Sequence, residues 1–369
     1  MSAHRHALAA LFACVAPIAC NSILGNRAGH PYDDAGTSDG STTSCDGGCP
    51  PITLASARDC PVDLSVTNGR VYWVDQGSVQ NSAQDGVVAS VPIGGCADDA
   101  SACVVVHASN ERSPSALVAN KDAIWWASLV VPTTQSSIRT LPFGATTPTT
   151  FASAQRFPRS LGIDATSLFW INGGDAPPAA TGEVRRAYLD SMGGSVAIVF
   201  TLDAPVAITV RGSTIFWTND GDSDTTGSVM TSDVTGSPAT RVAANQSHPR
   251  GIAAGGTHVY WANTGDGTIM RASPDGTGTT RLLSDRATPS DVAVDDVAIY
   301  WVETGTPPDY ADGKVMAARL DGSDVRTIAS SQKNVRRIAA DASNVYWIAR
   351  GTPGCAQHDG RIMQAGKPF

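Results

Sequence analysis

The chain has 369 residues, a formal net charge of -8 and only 16% charged side chains. An acidic balance without a basic stripe excludes a surface built to neutralise nucleic-acid phosphates, and leaves a protein, a glycan or a small anionic molecule as the partner. The length would allow two or three average domains, but a repeat that fills most of the chain argues for one large domain.

At the N-terminus, His4-Arg5-His6 precedes an apolar run from Ala7 to Ala19. A short positive segment followed by a hydrophobic stretch too short to span a bilayer as a mature helix is the pattern of an export signal, so residues 1–19 read as a signal peptide. Ile18-Ala19-Cys20 resembles the end of a bacterial lipobox. That resemblance implies cleavage before Cys20 and a lipid on its sulfur, hence a lipoprotein of the bacterial outer membrane or cell surface. Asn21 is compatible with outer-membrane sorting. Ordinary cleavage after Ala16 or Ala19, giving a periplasmic or secreted protein, is the alternative. Residues 20–50 hold almost no large apolar side chain and many turn formers, so they read as a flexible tether, with the lipid as the only membrane contact of an expected monomer.

From residue 51 onward one unit recurs. A branched aliphatic residue or leucine, an aromatic and a tryptophan stand together at Val71-Tyr72-Trp73, Ile124-Trp125-Trp126, Leu168-Phe169-Trp170, Ile215-Phe216-Trp217, Val259-Tyr260-Trp261, Ile299-Tyr300-Trp301 and Val345-Tyr346-Trp347. Twelve positions before the last Trp of each triplet stand Pro61, Pro114, Pro158, Pro205, Pro249 and Pro289, with Val335 in the seventh unit. A gap-free register at a period of roughly 40 to 50 residues points to a solenoid or a propeller.

Within a unit, the proline opens a strand with alternating apolar residues, such as Ile252 and Ala254 or Val292 and Val294. Turn formers such as Asn68-Gly69 separate it from the aromatic-Trp strand, which carries bulk on both faces as a sheet between two other sheets must. A third strand begins at Gly-x-Val/Ile, as in Gly227-Ser228-Val229 or Gly313-Lys314-Val315, and a fourth, such as Arg326-Thr327-Ile328, leads to the next unit. Four strands per unit with no helical period predict an all-β, seven-bladed β-propeller over residues 51–369. The seventh unit stops after its third strand. Leu54 stands seven residues before Pro61, as Phe151, Val242 and Leu282 stand before their own prolines, so residues 51–57 are expected to complete the last blade and close the ring.

Export makes disulfides the natural reading of the six cysteines beyond Cys14 and Cys20. In an up-and-down blade the fourth-to-first and second-to-third connections emerge on one face, so Cys60 and Cys355 can lock the closing blade. Cys96 and Cys103 span a short hairpin. Cys45 and Cys49 remain as a small loop in the tether, with Cys49–Cys355 as the other possibility.

The aromatic-Trp strand followed by Gly267-Thr268-Ile269-Met270-Arg271-Ala272 and Asp275-Gly276, or by Gly313-Lys314-Val315-Met316 and Asp321-Gly322, resembles the Tyr-Trp-Thr-Asp repeats of low-density-lipoprotein-receptor-type propellers. It is also similar to repeat lipoproteins abundant in secreting bacteria such as myxobacteria. The column that holds that family's Asp reads Asp75, Ser128, Asn172, Asn219, Asn263, Glu303 and Ala349, and the receptor propellers have six blades, so receptor function does not transfer.

Propellers present ligand sites at one mouth of the central channel. The position after the proline column places Arg159, Arg250 and Arg336 on units three, five and seven, with Arg337 beside the last and His248 just before Pro249. Converging guanidinium groups could hold a carboxylate, phosphate or sulfated sugar. Asp63 and Asp291 fall in the adjacent column, so the competing expectation is that Arg and Asp pair across neighbouring blades. Asp220, Asp222 and Asp224 alternate as calcium ligands do, but they lack the following Gly and the distal Glu of an EF-hand loop, so an acidic turn is the first reading, and no cofactor is otherwise implied. The function expected is a binding or interaction module at the envelope surface, with a propeller hydrolase or lyase acting at the channel mouth as the alternative.

Overall fold

The computed structural model describes residues 50–77, 84–96, 103–130, 135–173, 182–190, 197–202, 204–221, 223–236, 238–355 and 357–369. Cys20, Cys45, Cys49 and Asp222, each singled out above, lie outside these residues. Among the described residues, 28 strands form seven separate four-stranded antiparallel sheets. In the first sheet β2 (Pro61–Thr67), β3 (Arg70–Asp75), β4 (Gly86–Pro92) and β5 (Val105–Glu111) pair in chain order, and the next five sheets repeat that order. In the last sheet β26 (Val335–Ala340), β27 (Asn344–Ala349) and β28 (Gly360–Gly366) supply three strands. The fourth is β1 (Ile52–Arg58), whose Ile52 lies opposite Gln364 and whose Arg58 lies opposite Gly360. The chain is a seven-bladed β-propeller.

Its core is not one mass but seven interfaces. Trp73, Trp126, Trp170, Trp217, Trp261, Trp301 and Trp347 are all fully buried. Each packs against the middle aromatic of the preceding blade: Phe169 and Ile171 meet Ile215 and Trp217, and Tyr260 meets Ile299 and Trp301. Successive side chains of a strand point to opposite faces, so one strand supplies a tryptophan to one neighbour and an aromatic to the other. The interface between the last and first blades is built the same way, from Tyr346, Ile348, Val71 and Trp73, and Leu54 and Ala55 of β1 are completely buried in it.

A buried indole N–H needs an acceptor. The residue fifteen positions before the Trp, at the end of the preceding outer strand, provides it in four blades: Glu111 for Trp126 (3.0 Å), Gln155 for Trp170 (2.8 Å), Gln246 for Trp261 (2.9 Å) and Gln332 for Trp347 (2.8 Å). Where that position holds arginine, an acidic residue appears two places after the Trp. Glu303 accepts from Trp301 at 3.1 Å and faces Arg286 at 3.9 Å, while Asp75 faces Arg58 at 3.1 Å. The repeat thus swaps its polar partners in pairs, and the Arg58–Asp75 pair crosses the joint where β1 closes the ring. Burial pushes the Asp75 carboxyl up to about 7, against the pull of the Arg58 guanidinium.

Two disulfides join described residues, Cys60–Cys355 and Cys96–Cys103. The first ties the connection entering the first blade to the second-to-third connection of the last, and His358 pairs with Asp59 beside it.

Candidate ligand-binding mouth

The residue before each proline column has positive φ in all seven blades, from Cys60 (62°) and Ser113 (36°) to His248 (48°) and Asn334 (55°), and none is glycine. A left-handed turn at these residues is held because the carbonyl it presents is used. It accepts the N–H of the residue three places after the blade's Trp, as in Gln76 to Cys60 (3.0 Å), Gly173 to Phe157 (2.9 Å), Asp220 to Ala204 (2.9 Å), Thr264 to His248 (3.1 Å) and Arg350 to Asn334 (3.2 Å). These bonds bind the fourth-to-first connection to the end of the second strand and put both on one face.

Immediately after the proline, strand pairing slips in every blade. Pro61 is opposite Asp75 but Asp63 is opposite Val74, and Val335 is opposite Ala349 but Arg337 is opposite Ile348. The unmatched residues are Val62, Ser115, Arg159, Val206, Ser290 and Arg336, and in the fifth blade the slip takes in Arg250 with Gly251. A bulge re-aims its side chain out of the ladder, and here it turns the column toward the mouth. Close packing of the inner strands accompanies it: a Cβ on Gly251 would collide with Asp291 of the next blade.

A cavity of about 580 Å³ opens at this mouth, lined by Arg250, Arg336, Arg337 and Arg350 together with Thr264, Thr288, Ser290, Thr304 and Tyr310 among others. Below it the channel narrows to about 200 Å³ between residues from all seven inner strands, including Asp63, Ser160, Asp291 and Arg337. Arg350 was not singled out from the sequence. It occupies the column read as Gln76, Leu129, Gly173, Asp220, Thr264, Thr304 and Arg350, three places after each Trp, and that column would have disclosed it.

The arginines differ in what already holds them. Arg337 lies between Asp63, at 3.4 Å, and Asp291, at 3.9 Å, on the two neighbouring blades. Those carboxylates also accept backbone N–H groups from adjoining blades, Leu117 to Asp63 (2.9 Å) and Ile338 to Asp291 (3.1 Å). Burial raises the Asp63 carboxyl and pushes that of Asp291 up to about 6, while Arg337 opposes both shifts. This cluster closes the floor of the mouth as an inter-blade tie. Arg250 pairs with Asp220 at 3.0 Å, and His248 bridges Asp220 (2.9 Å) and Asp224 (3.2 Å). Two of the three aspartates considered for calcium are therefore already engaged by protein side chains, Asp220 by Arg250 and His248 and Asp224 by His248. Among the described residues, no three His, Cys, Asp or Glu side chains are placed to hold a metal ion together.

Arg336 and Arg350 have neutral partners only. Arg336 donates to the Asn334 side-chain oxygen at 2.8 Å and lies over the Tyr310 ring. Arg350 donates to Cys60 Sγ, at 3.1 and 2.9 Å, and to Gln76 Oε1 at 3.0 Å. Among the described residues no carboxylate pairs with either. Burial lowers the pKa of both, and a like charge adds to it, Arg250 for Arg336 and Arg336 for Arg350. Arg159 stacks on Phe157 at 4.7 Å and is lowered by burial and then by Arg250, which places it on the same rim beside the cavity.

No protein-family model matches the chain, and no curated protein matches it. Among solved structures it is similar to a chain of a nidogen/laminin complex, with 16% identity, a TM-score of 0.50 and coverage of 67% of this chain and 90% of that one. It is likewise similar to an acylaminoacyl peptidase at 10% identity and TM-score 0.55, covering 80% of this chain and 49% of the peptidase, and to the computationally designed Ika8 protein at 13% identity and TM-score 0.52, covering 84% and 98%. At these identities the likeness concerns the fold, which is that of the β-propellers.

Proposed function

We propose that this chain is an exported binding propeller that captures an anionic ligand at the arginine-lined mouth. The observation that carries this reading is the pair Arg336 and Arg350, two partly buried guanidinium groups that open into one cavity with no carboxylate paired to either among the described residues. Holding like charges close together in a partly desolvated site costs free energy, and an oxyanion accepting bidentate hydrogen bonds recovers it. The neighbouring folds include both a partner in a protein complex and a peptidase, consistent with a propeller used as a recognition platform. Once the signal peptide at 1–19 has been cleaved off, a lipid on Cys20 and the polar tether at 20–50 would hold the propeller at a bacterial envelope surface, in keeping with the resemblance to repeat lipoproteins.

The binding claim is tested by calorimetric titration of the purified protein with inorganic phosphate and sulfate at low ionic strength. Arg336→Gln and Arg350→Gln are each expected to weaken the anion by roughly tenfold to a hundredfold, the loss of one charged hydrogen-bonding group. Unchanged affinity in both variants, or no heat from either anion with the native protein, overturns the reading. The anchor is tested separately by mass analysis of the N-terminal peptide. A diacylglyceryl mass on Cys20, and release from the membrane fraction in Cys20→Ala, is the expected result, whereas an unmodified N-terminus after Ala16 or Ala19 denies it.

A further inference from the structure

The mouth presents two kinds of polar group, and only one of them is explained by an anion. The arginines only donate. Beside them, on blades five and six, the hydroxyls of Thr264, Thr288 and Thr304 already donate within the protein, to Pro289 O (2.7 Å), Ala287 O (2.7 Å) and Ser290 Oγ (3.0 Å). With its proton committed, each of these oxygens is left to accept. These threonines therefore ask the ligand for donors, while Ser290 Oγ, which accepts from Thr304, keeps its own proton to donate. An ammonium group is a poor answer, because no carboxylate lines the cavity among its described residues and Asp220, which pairs with the lining residue Arg250, is also held by His248. Neutral hydroxyl groups fit. A sulfate or simple dicarboxylate would satisfy the arginines and leave the threonines facing a ligand with nothing to donate, and hydrogen phosphate would offer them no more than one or two protons. The cavity of about 580 Å³ is larger than such small ions need and falls in the range of organic ligands. Tyr310 adds a flat apolar wall, fixed by the bond from Asn334 N–H to its carbonyl at 2.9 Å.

We infer that the ligand is an acidic sugar, a hexuronic acid or a short chain of them, whose carboxylate lies between Arg336 and Arg350 while its hydroxyl groups donate to the threonines. This inference rests on the anion reading above. It adds that neutral hydroxyl donors are selected together with the charge.

The experiment titrates the purified protein with digalacturonate, with galactose and with succinate in one low-salt buffer. Digalacturonate is expected to bind at least tenfold more tightly than either of the others. Arg350→Gln should weaken it tenfold or more, and Thr304→Val should narrow its advantage over succinate, with thermal melts confirming that both variants fold. Succinate binding as tightly as digalacturonate overturns the sugar inference and leaves the anion reading standing. Galactose binding as tightly as digalacturonate overturns the role given to the carboxylate. Failure of digalacturonate while phosphate or sulfate binds sinks the sugar inference alone, and failure of phosphate and sulfate sinks both proposals.

Discussion

Replacing Cys355 with serine is expected to cost the fold roughly 4–5 kcal/mol, against about 2 kcal/mol for Cys103→Ser, because loop-closure entropy grows with the enclosed length. The Cys60–Cys355 link spans 295 residues and Cys96–Cys103 spans 7. The larger loss falls on the one joint where neighbouring strands are not continuous in the chain. Without the disulfide that joint keeps the β1–β28 ladder, the buried Leu54 and Ala55, the Arg58–Asp75 pair and the bond from Gly94 N–H to Gln364 at 2.9 Å. Those contacts open first, since edge strands released from a ring expose an unpaired ladder. Urea unfolding followed by tryptophan fluorescence measures the two losses, and hydrogen exchange over residues 52–58 locates the first. Equal losses for both variants would show that the joint is held by its noncovalent contacts alone. Arg350 donates to Cys60 Sγ, so Cys355→Ser should also weaken anion binding at the mouth.

Arg337→Met should be the most damaging single change at the channel, by roughly 3–5 kcal/mol at pH 7.5, because it leaves Asp63 and Asp291 buried without a cation. The two carboxyls make native stability depend on pH in a direction opposite to that of an ordinary salt-bridged carboxylate. Asp291 has a folded-state pKa raised to about 6 from 3.8, and Asp63 is raised as well. Between about pH 4 and 6 the folded chain therefore binds more protons than the unfolded chain, and these groups make the fold less stable as pH rises through that window. Removing Arg337 takes away the group that opposes the rise, so both carboxyls take up protons more readily in the variant. The difference between variant and native protein, measured by urea melts, should shrink from pH 7.5 to pH 5. A difference that stays constant across that range would mean the two carboxylates do not titrate against Arg337.

Much of this architecture was legible in the chain. The Trp triplets and the proline column established seven units and their register, because a wedge between two blades must present a large residue to each face at a fixed distance from the strand before it. The same register placed Leu54 in line with the fourth-strand residues, and it put Cys60 and Cys355 on one face. Less legible was the column Arg159, Arg250 and Arg336. Its residue type suggested anion binding, but the direction of its side chains depends on a bulge, and a bulge is a property of two paired strands rather than of one. The expected pairing of Arg and Asp across blades occurs at Arg337, which lies in the same column as Asp63 and Asp291, while Arg250 pairs instead with Asp220 and Arg336 with no acid among the described residues.

The sequence by itself determined the number of blades and the strand that closes the ring, since both follow from periodic spacing along a single chain, while it left Cys60 and Cys49 as rival partners of Cys355, a choice that the structure makes for Cys60. Tertiary structure alone decided which arginines are already neutralised and which are not. Whether a guanidinium has a carboxylate within 4 Å depends on groups brought together from five blades, far apart in sequence, and on how much water their packing leaves around them. For Arg336 and Arg350 that difference separates a structural tie from a candidate ligand site.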